Sequence, residues 1–128
     1  MRSRLLARAG ALVLILGGLL MPAAPAGAHC GVHQHPDLYN GGGIFFQDNG
    51  TPLREAPHIG CGIQGEGFPG DGIDVHCAVI NDDDDTVWLH VRATSTGDHG
   101  WAREGAFRVP DPVVVRGCGD QRDIIVSG

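Results

Sequence analysis

The feature that most constrains the fold is a series of short alternating apolar runs between residues 72 and 107. In "GIDVHCAVI" the side chains of Ile73, Val75, Cys77 and Val79 fall on one side of an extended chain, since successive residues of a strand point to opposite faces. "TVWLHVRA" alternates in the same way, and "NDDDD" before it is typical of a turn. The pattern predicts two strands with a turn between them.

The composition extends this prediction to the rest of the chain. The 21 glycines and 8 prolines disfavour long helices, because both residue types are poor helix formers. Short apolar runs separated by turn residues continue on both sides of the alternating region, and "TSTGDHG" followed by "WAREGAF" indicates a further hairpin. We therefore predict an all-β fold, a small barrel or sandwich.

The N-terminus has the layout of an export signal. Three arginines precede an apolar run over residues 9–21, and a stretch of small residues ends at Ala28. This layout predicts a signal peptide over residues 1–28, and hence a secreted, extracellular protein without a membrane span after cleavage.

The remaining chain has the length of one small domain. Residues 29–43 are rich in histidine and glycine and predict an irregular N-terminal arm. We assign the β domain to residues 44–110 and a C-terminal tail, which carries one cysteine, to residues 111–128. The formal net charge of −6 makes nucleic acid an unexpected partner, because phosphate backbones repel an acidic surface.

Cys30, Cys61, Cys77 and Cys118 predict disulfide bonds in an oxidising compartment, with three possible pairings. Pro69, in the turn sequence "FPGDG", lies midway between the second and third cysteines. A hairpin about this turn would place Cys61 opposite Cys77 and leave Cys30 to bond Cys118. The other two pairings, Cys30–Cys61 with Cys77–Cys118 and Cys30–Cys77 with Cys61–Cys118, stay open.

Four elements follow one another within residues 51–107. They are Leu53-Arg54-Glu55-Ala56-Pro57, a glycine-containing hairpin from Gly67 to Val79, Trp88-Leu89-His90-Val91, and Gly97-Asp98-His99-Gly100-Trp101. This order resembles the bacterial SH3-like (SH3b) domain, although the first element lacks the usual Asn-Val-Arg-Ser-Gly run. The resemblance implies a small, partly open SH3-like β-barrel, here linked by disulfides. Such domains bind cell-wall peptides or serve as targeting and interaction modules.

The alternation in "TVWLHVRA" places Trp88, His90 and Arg92 on one face, with Asp98 expected at its rim. An exposed indole can form the floor of a groove that binds peptides. These four residues are the predicted ligand-binding site of a secreted, non-catalytic SH3b-like binding or interaction module. Its expected ligand is a cell-wall peptide or a partner protein, and no cofactor is predicted.

Ser95, Asp98 and His99 are residue types found in hydrolase active sites. Adjacent side chains of an extended chain point to opposite faces, so that Asp98 is poorly placed to orient His99. Gly97 and Gly100 indicate instead that the segment is a hairpin turn. We therefore predict that the protein is not an enzyme.

His29, His33 and His35 lie within seven residues of the arm. Neutral imidazoles suit Zn²⁺, Cu²⁺ and Ni²⁺, and a histidine-rich tract can bind such ions by composition alone. The alternative function is therefore a metal-binding secreted protein that uses this arm. A solvated arm that is merely held by Cys30 is the simpler interpretation, and both stay open at this point.

Overall fold

The structure is a computed structural model and describes residues 30–128. The predicted signal peptide over residues 1–28 and the predicted ligand His29 lie outside the described residues. Within the described part, no helix has the length and apolar character needed to cross a membrane. Residues 30–43 form no helix or strand, as expected for an irregular arm.

Residues 30–128 contain nine β-strands and one 3₁₀ helix, Glu104–Ala106. The strands are β1 (Phe45–Phe46), β2 (Thr51–Arg54), β3 (Ile63–Gly67), β4 (Ile73–Asn81), β5 (Thr86–Ala93), β6 (His99–Arg103), β7 (Phe107–Arg108), β8 (Val113–Val115) and β9 (Ile124–Val126). Five of them form an antiparallel sheet in the order β3-β2-β6-β5-β4. The short ladders β1-β7 and β8-β9 complete the topology. The predicted all-β class is confirmed, and the main sheet is open, with β3 and β4 at its edges.

The β5-β6 hairpin contains the turn that the sequence predicts around Gly97. Gly97 has a φ of +80°, a conformation that side chains with a Cβ rarely adopt. Gly100 allows β2 to approach β6, because a Cβ at this position would lie 2.7 Å from the carbonyl oxygen of Arg54. Arg54 then pairs with Trp101 across the two strands. The glycines of this segment therefore have structural roles.

One face of the sheet packs in the main hydrophobic core. The strands outside the sheet contribute to it as well, and residues 111–128, which the sequence assigns to a tail, supply β8 and β9. The buried residues of this core are Ile44, Phe46, Leu53, Val75, Ala78, Leu89, Val91, Ala93, Ala102, Phe107, Val109, Val115, Ile124 and Val126. Burying a valine or leucine side chain contributes about 1.5–3 kcal/mol, so this face accounts for much of the stability.

The opposite face carries a smaller buried cluster. Trp88, Trp101 and the bonded pair Cys77 and Cys118 form it, and Leu38 of the arm packs against it. The arm therefore lies over the face of the sheet that the main core does not use.

The disulfide bonds are Cys30–Cys61 and Cys77–Cys118. The predicted pairing of Cys61 with Cys77, and of Cys30 with Cys118, is wrong; the structure has one of the two alternatives. The reason is the strand order, since β3 pairs with β2 while β4 pairs with β5. The strands on either side of Pro69 consequently lie at opposite edges of the sheet, and no hairpin forms there.

Candidate metal centre

His76 of β4 lies close to His90 of β5, at a β-bulge. In the ladder between β4 and β5, Val75 pairs with Val91 and Cys77 pairs with His90, so His76 is an extra residue between two consecutive pairs. His76 keeps the face that alternation gives it, which is the face of His90. The bulge instead turns Cys77 and Val79 to this face, while Val75 and Ala78 enter the main core, so the predicted common face of Val75, Cys77 and Val79 is wrong. Nδ1 of His76 lies 2.9 Å from Nδ1 of His90.

His90 is buried beneath the arm near the centre of the sheet. Its partner on β6 is Trp101, whose ring meets the imidazole edge to face at a centroid distance of 5.1 Å. Only 2% of His90 is exposed. Burial, followed by the charges of His35, His76 and His99, lowers the pKa of His90 from 6.5 to about 3. The ring is therefore neutral at physiological pH and keeps one nitrogen lone pair.

The N-terminal arm places His35 over these two histidines. The disulfide of Cys30 holds the chain before it, and the backbone N–H of Leu38 donates to the carbonyl of His76 at 2.9 Å after it. The ring of His35 stacks on His90, with centroids 3.7 Å apart and planes 7° from parallel. The arm is therefore attached to the β domain on both sides of His35.

His35, His76 and His90 each offer one ring nitrogen within 4.8 Å of the other two. The 2.9 Å contact between Nδ1 of His76 and Nδ1 of His90 requires a proton on one of these atoms, because two bare lone pairs repel. A metal ion can take the place of that proton when the proton moves to Nε2 of the same ring, since neutral imidazole is a good ligand through either nitrogen. His35 is exposed, and the cluster is accordingly accessible from the side of the arm.

A carboxylate and a guanidinium complete the surroundings of His76. Oδ2 of Asp74 lies 3.3 Å from Nε2 of His76, and Nη2 of Arg92 donates to the same oxygen at 3.3 Å. Asp37, Asp74 and His76 also form a second group whose potential ligand atoms lie within 4.8 Å of one another. His76 therefore faces His90 through Nδ1 and Asp74 through Nε2.

The predicted peptide-binding face of β5 is covered. Trp88 is only 2% exposed, and its Nε1 donates to Oγ1 of Thr86 at 2.8 Å. The expected exposure of Trp88 is wrong, because the disulfide of Cys77 packs in the same cluster and the arm lies over this face. His90 is buried as well, and of the three residues on this face only Arg92 is exposed.

Asp98 lies at the other end of the β5-β6 ladder from Trp88. Trp88 pairs with Arg103, whereas the turn that contains Asp98 precedes the pair formed by Arg92 and His99. Oδ2 of Asp98 accepts from the backbone N–H of Glu66 at 3.4 Å. The predicted set of four residues therefore does not line one groove.

Ser95, Asp98 and His99 have different partners. Oγ of Ser95 donates to Asp71 at 3.1 Å, Asp98 contacts β3, and Nδ1 of His99 lies 3.4 Å from Nε2 of Gln64. These contacts fit the turn that the sequence predicts.

Among the predicted metal ligands, His35 lies in the three-histidine cluster. His33 meets the edge of Trp101 at a centroid distance of 6.2 Å and belongs to neither group of potential ligands among the described residues. The sequence assigned His90 to peptide binding and gave His76 no role. Strict alternation puts His76 on the face of Asp74, and a regular continuation of the pairs Asp74–Arg92 and Val75–Val91 would place it opposite His90. The alternation of the two strands was therefore a signal for this pair that our predictions did not use.

No protein-family model, curated protein or solved structure matches the chain. The resemblance to the SH3b domain therefore stays a prediction. Binding of a cell-wall peptide or a partner protein also stays a prediction, and the burial of Trp88 removes the exposed indole on which it depended.

Proposed function

We propose that the protein binds a divalent transition-metal ion through His35, His76 and His90. The observation that carries the proposal is the convergence of three imidazole nitrogens, from the arm, β4 and β5, within 4.8 Å of one another. β4 and β5 are consecutive strands, whereas the arm is distant from both in sequence and has its own attachments next to His35.

The donor set indicates the class of ion. Imidazole nitrogen suits Zn²⁺, Cu²⁺ and Ni²⁺, whereas Mg²⁺ and Ca²⁺ prefer oxygen ligands. Three protein ligands leave a further coordination position for water or another small ligand. The exposed side of the cluster, at His35, is where such a ligand would enter.

Small movements are enough to convert the observed arrangement into a coordination site. Two nitrogens bound to one tetrahedral zinc ion at about 2.0–2.1 Å lie about 3.3 Å apart. The Nδ1 atoms of His76 and His90, now at 2.9 Å, would separate by a few tenths of an ångström. The stacked ring of His35 would turn to aim a nitrogen at the ion, and its exposed position on the arm leaves room for that rotation.

Export of the protein is part of this proposal. Two disulfide bonds, and the absence of a membrane-crossing helix among residues 30–128, are compatible with an extracellular protein. An ion-binding site that depends on the disulfide of Cys30 would then be assembled outside the cell.

Calorimetric titration of the untagged protein with Zn²⁺ and with Cu²⁺ tests the proposal. We expect one ion per chain for at least one of the two metals. The variants His35→Ala and His76→Ala should each lower the affinity at least about tenfold, because removing a ligand costs no less than removing the group that orients it. His58→Ala is the matched control, since His58 lies outside both groups of potential ligands, and it should bind like the wild type.

His35→Ala is the decisive variant because the side chain is exposed and its loss leaves both cores intact. Absence of saturable binding by the wild type, or equal affinity in His35→Ala and His58→Ala, would refute a site built on these three histidines.

A further inference from the structure

We infer that Asp74, held by Arg92, is a positioning residue that selects the tautomer of His76 and so makes Nδ1 of His76 the metal donor. The inference rests on the proposed metal-binding function and adds two residues to it. Neither of them is needed as a direct ligand.

The strand register brings the three side chains together. Asp74 and Arg92 are directly paired across β4 and β5, and Asp74 precedes His76 by two residues on the same strand. Nη2 of Arg92 and Nε2 of His76 each lie 3.3 Å from Oδ2 of Asp74. The side chains of Asp74 and His76 are 27% and 15% exposed, so that water screens the contact only in part.

The contact between Asp74 and Nε2 of His76 favours one of the two tautomers of a neutral imidazole. The ring carries one proton, on Nδ1 or on Nε2. A proton on Nε2 is attracted by the Asp74 carboxylate, whereas a bare lone pair there is repelled by it. Asp74 therefore favours the Nε2–H form, in which the lone pair of Nδ1 points toward His90.

The tautomer matters because Nδ1 of His76 is the atom that faces His90 at 2.9 Å. With Nε2 of His76 protonated, the proton between the two rings belongs to Nδ1 of His90. His76 is then already in its metal-binding form, and only His90 has to shift its proton to Nε2 before an ion can bind. Metal-ligating histidines commonly donate their second N–H to a carboxylate, which fixes the ring and raises its basicity.

Arg92 makes Asp74 a poor ligand for a second ion. A cation bound by Asp37, Asp74 and His76 would lie close to the guanidinium that contacts Oδ2 of Asp74. Like charges at such a distance repel. We therefore expect a single ion per chain, with Asp74 acting through His76.

The ring-nitrogen chemical shifts of His76 in ¹⁵N-labelled, metal-free protein give the first test. We expect the Nε2–H tautomer in the wild type and a mixture of tautomers in Asp74→Ala. Asp111→Ala removes an exposed carboxylate far along the chain and is the matched charge control. An Nδ1–H tautomer of His76 in the wild type overturns the inference without any variant.

Titration with Zn²⁺ and Cu²⁺ gives the second test. Asp74→Ala should lower the affinity about 10- to 100-fold, and Asp111→Ala should leave it unchanged. Arg92→Gln should lower the affinity by a smaller factor. If the charge of Arg92 were its only influence, this substitution would raise the affinity for a cation, and such a result would overturn the role of Arg92.

The outcomes separate the inference from the proposed function. If the wild type binds an ion and Asp74→Ala binds it equally well, the three-histidine site stands and the role of Asp74 is overturned. If the wild type binds no ion, the metal function is overturned together with the inference. Two ions per chain, with the second lost both in Asp37→Ala and in Asp74→Ala, would show that Asp74 is a direct ligand and would also overturn the inference.

Discussion

The two faces of the five-stranded sheet are both covered, but by different chemistry. On one face, residues such as Leu89 and Val91 pack in the main apolar core. On the other, His76 and His90 lie beneath an irregular arm, next to Trp101. Burying apolar side chains stabilises the fold, whereas burying imidazoles costs free energy unless their nitrogens find partners. The apolar face supplies the stability that allows the histidine face to hold polar groups close together.

The largest expected effect comes from removing the Cys77–Cys118 disulfide, which lies on the histidine face. The bond closes a loop with a sequence separation of 41 residues. In the chain-entropy description such a bond stabilises the folded state by about 4 kcal/mol. We expect Cys77→Ala/Cys118→Ala to lose stability of this order in chemical denaturation.

The second disulfide provides the contrast. Cys30→Ala/Cys61→Ala releases the beginning of the arm, and little of the apolar core depends on it. We expect this variant to lose less stability than Cys77→Ala/Cys118→Ala but to lose metal affinity at least about tenfold, as for a missing ligand. Wild-type metal affinity in Cys30→Ala/Cys61→Ala would contradict the proposal that the arm supplies a ligand.

The next largest effect is expected on the apolar face. Leu89 has 0% exposure, and Leu89→Ala should lower the free energy of unfolding by about 3 kcal/mol through lost burial and the resulting cavity. Denaturant titration in the presence of a chelator measures this. Ion affinity of the folded variant should match the wild type, and a large drop in affinity would show that the two faces are not separable.

The effect of the ion on stability should be somewhat smaller. A ligand that binds only the folded state at about 100 times its dissociation constant raises the free energy of unfolding by about 2.7 kcal/mol. We expect this gain in the wild type and in Leu89→Ala, and a much smaller gain in His35→Ala at the same ion concentration. An equal gain in His35→Ala would place the ion elsewhere on the protein.

The apolar face could be predicted from the sequence better than the histidine face. Alternation identifies the strands β4 and β5 and the residues of β5 that enter the main core, and Gly97 identifies the turn between β5 and β6. In β4 the alternation fails after the bulge, where Ala78 enters the core in place of Cys77. These are local signals, and they determined the all-β class. The pairing of β3 with β2 is not local, and the symmetrical position of Pro69 between two cysteines gave the wrong hairpin.

The candidate site depends on two features, of which only the first has a local signal. One is the alternation in β4 and β5, which places His76 on the face of His90. The other is the course of the arm, which has no periodicity and is fixed by the disulfide of Cys30 and the backbone hydrogen bond of Leu38. The sequence could therefore identify His35 as a potential ligand, and alternation could pair His76 with His90. It could not show that the arm crosses the face on which those two histidines lie.

The smallest expected effect is a difference in pH dependence between the two faces. In the folded protein the pKa of His90 is lowered from 6.5 to about 3 by burial and by the facing His35, His76 and His99. Below pH 6.5 the unfolded chain takes up a proton at this residue, and the folded chain does not. The associated stability is therefore complete above pH 6.5 and is lost as the pH falls toward 3, by at most about 1.4 kcal/mol per pH unit.

Denaturant unfolding of the metal-free protein between pH 5 and 6.5 measures how steeply the free energy of unfolding depends on pH. This range lies above the ordinary pKa values of carboxyl groups, so that histidines dominate the dependence. His90→Gln should lower the slope of the unfolding free energy against pH by up to about 1.4 kcal/mol per pH unit, which corresponds to one proton. Leu89→Ala should lower the free energy of unfolding equally at every pH and leave the slope unchanged. The contrast follows from the chemistry of the two faces, since Leu89 has no proton to exchange and His90 is the buried titratable side chain among the described residues. Equal slopes in wild type and His90→Gln would mean that His90 takes up its proton as readily in the folded protein as in the unfolded chain, and the histidine face would then behave as an ordinary hydrated surface.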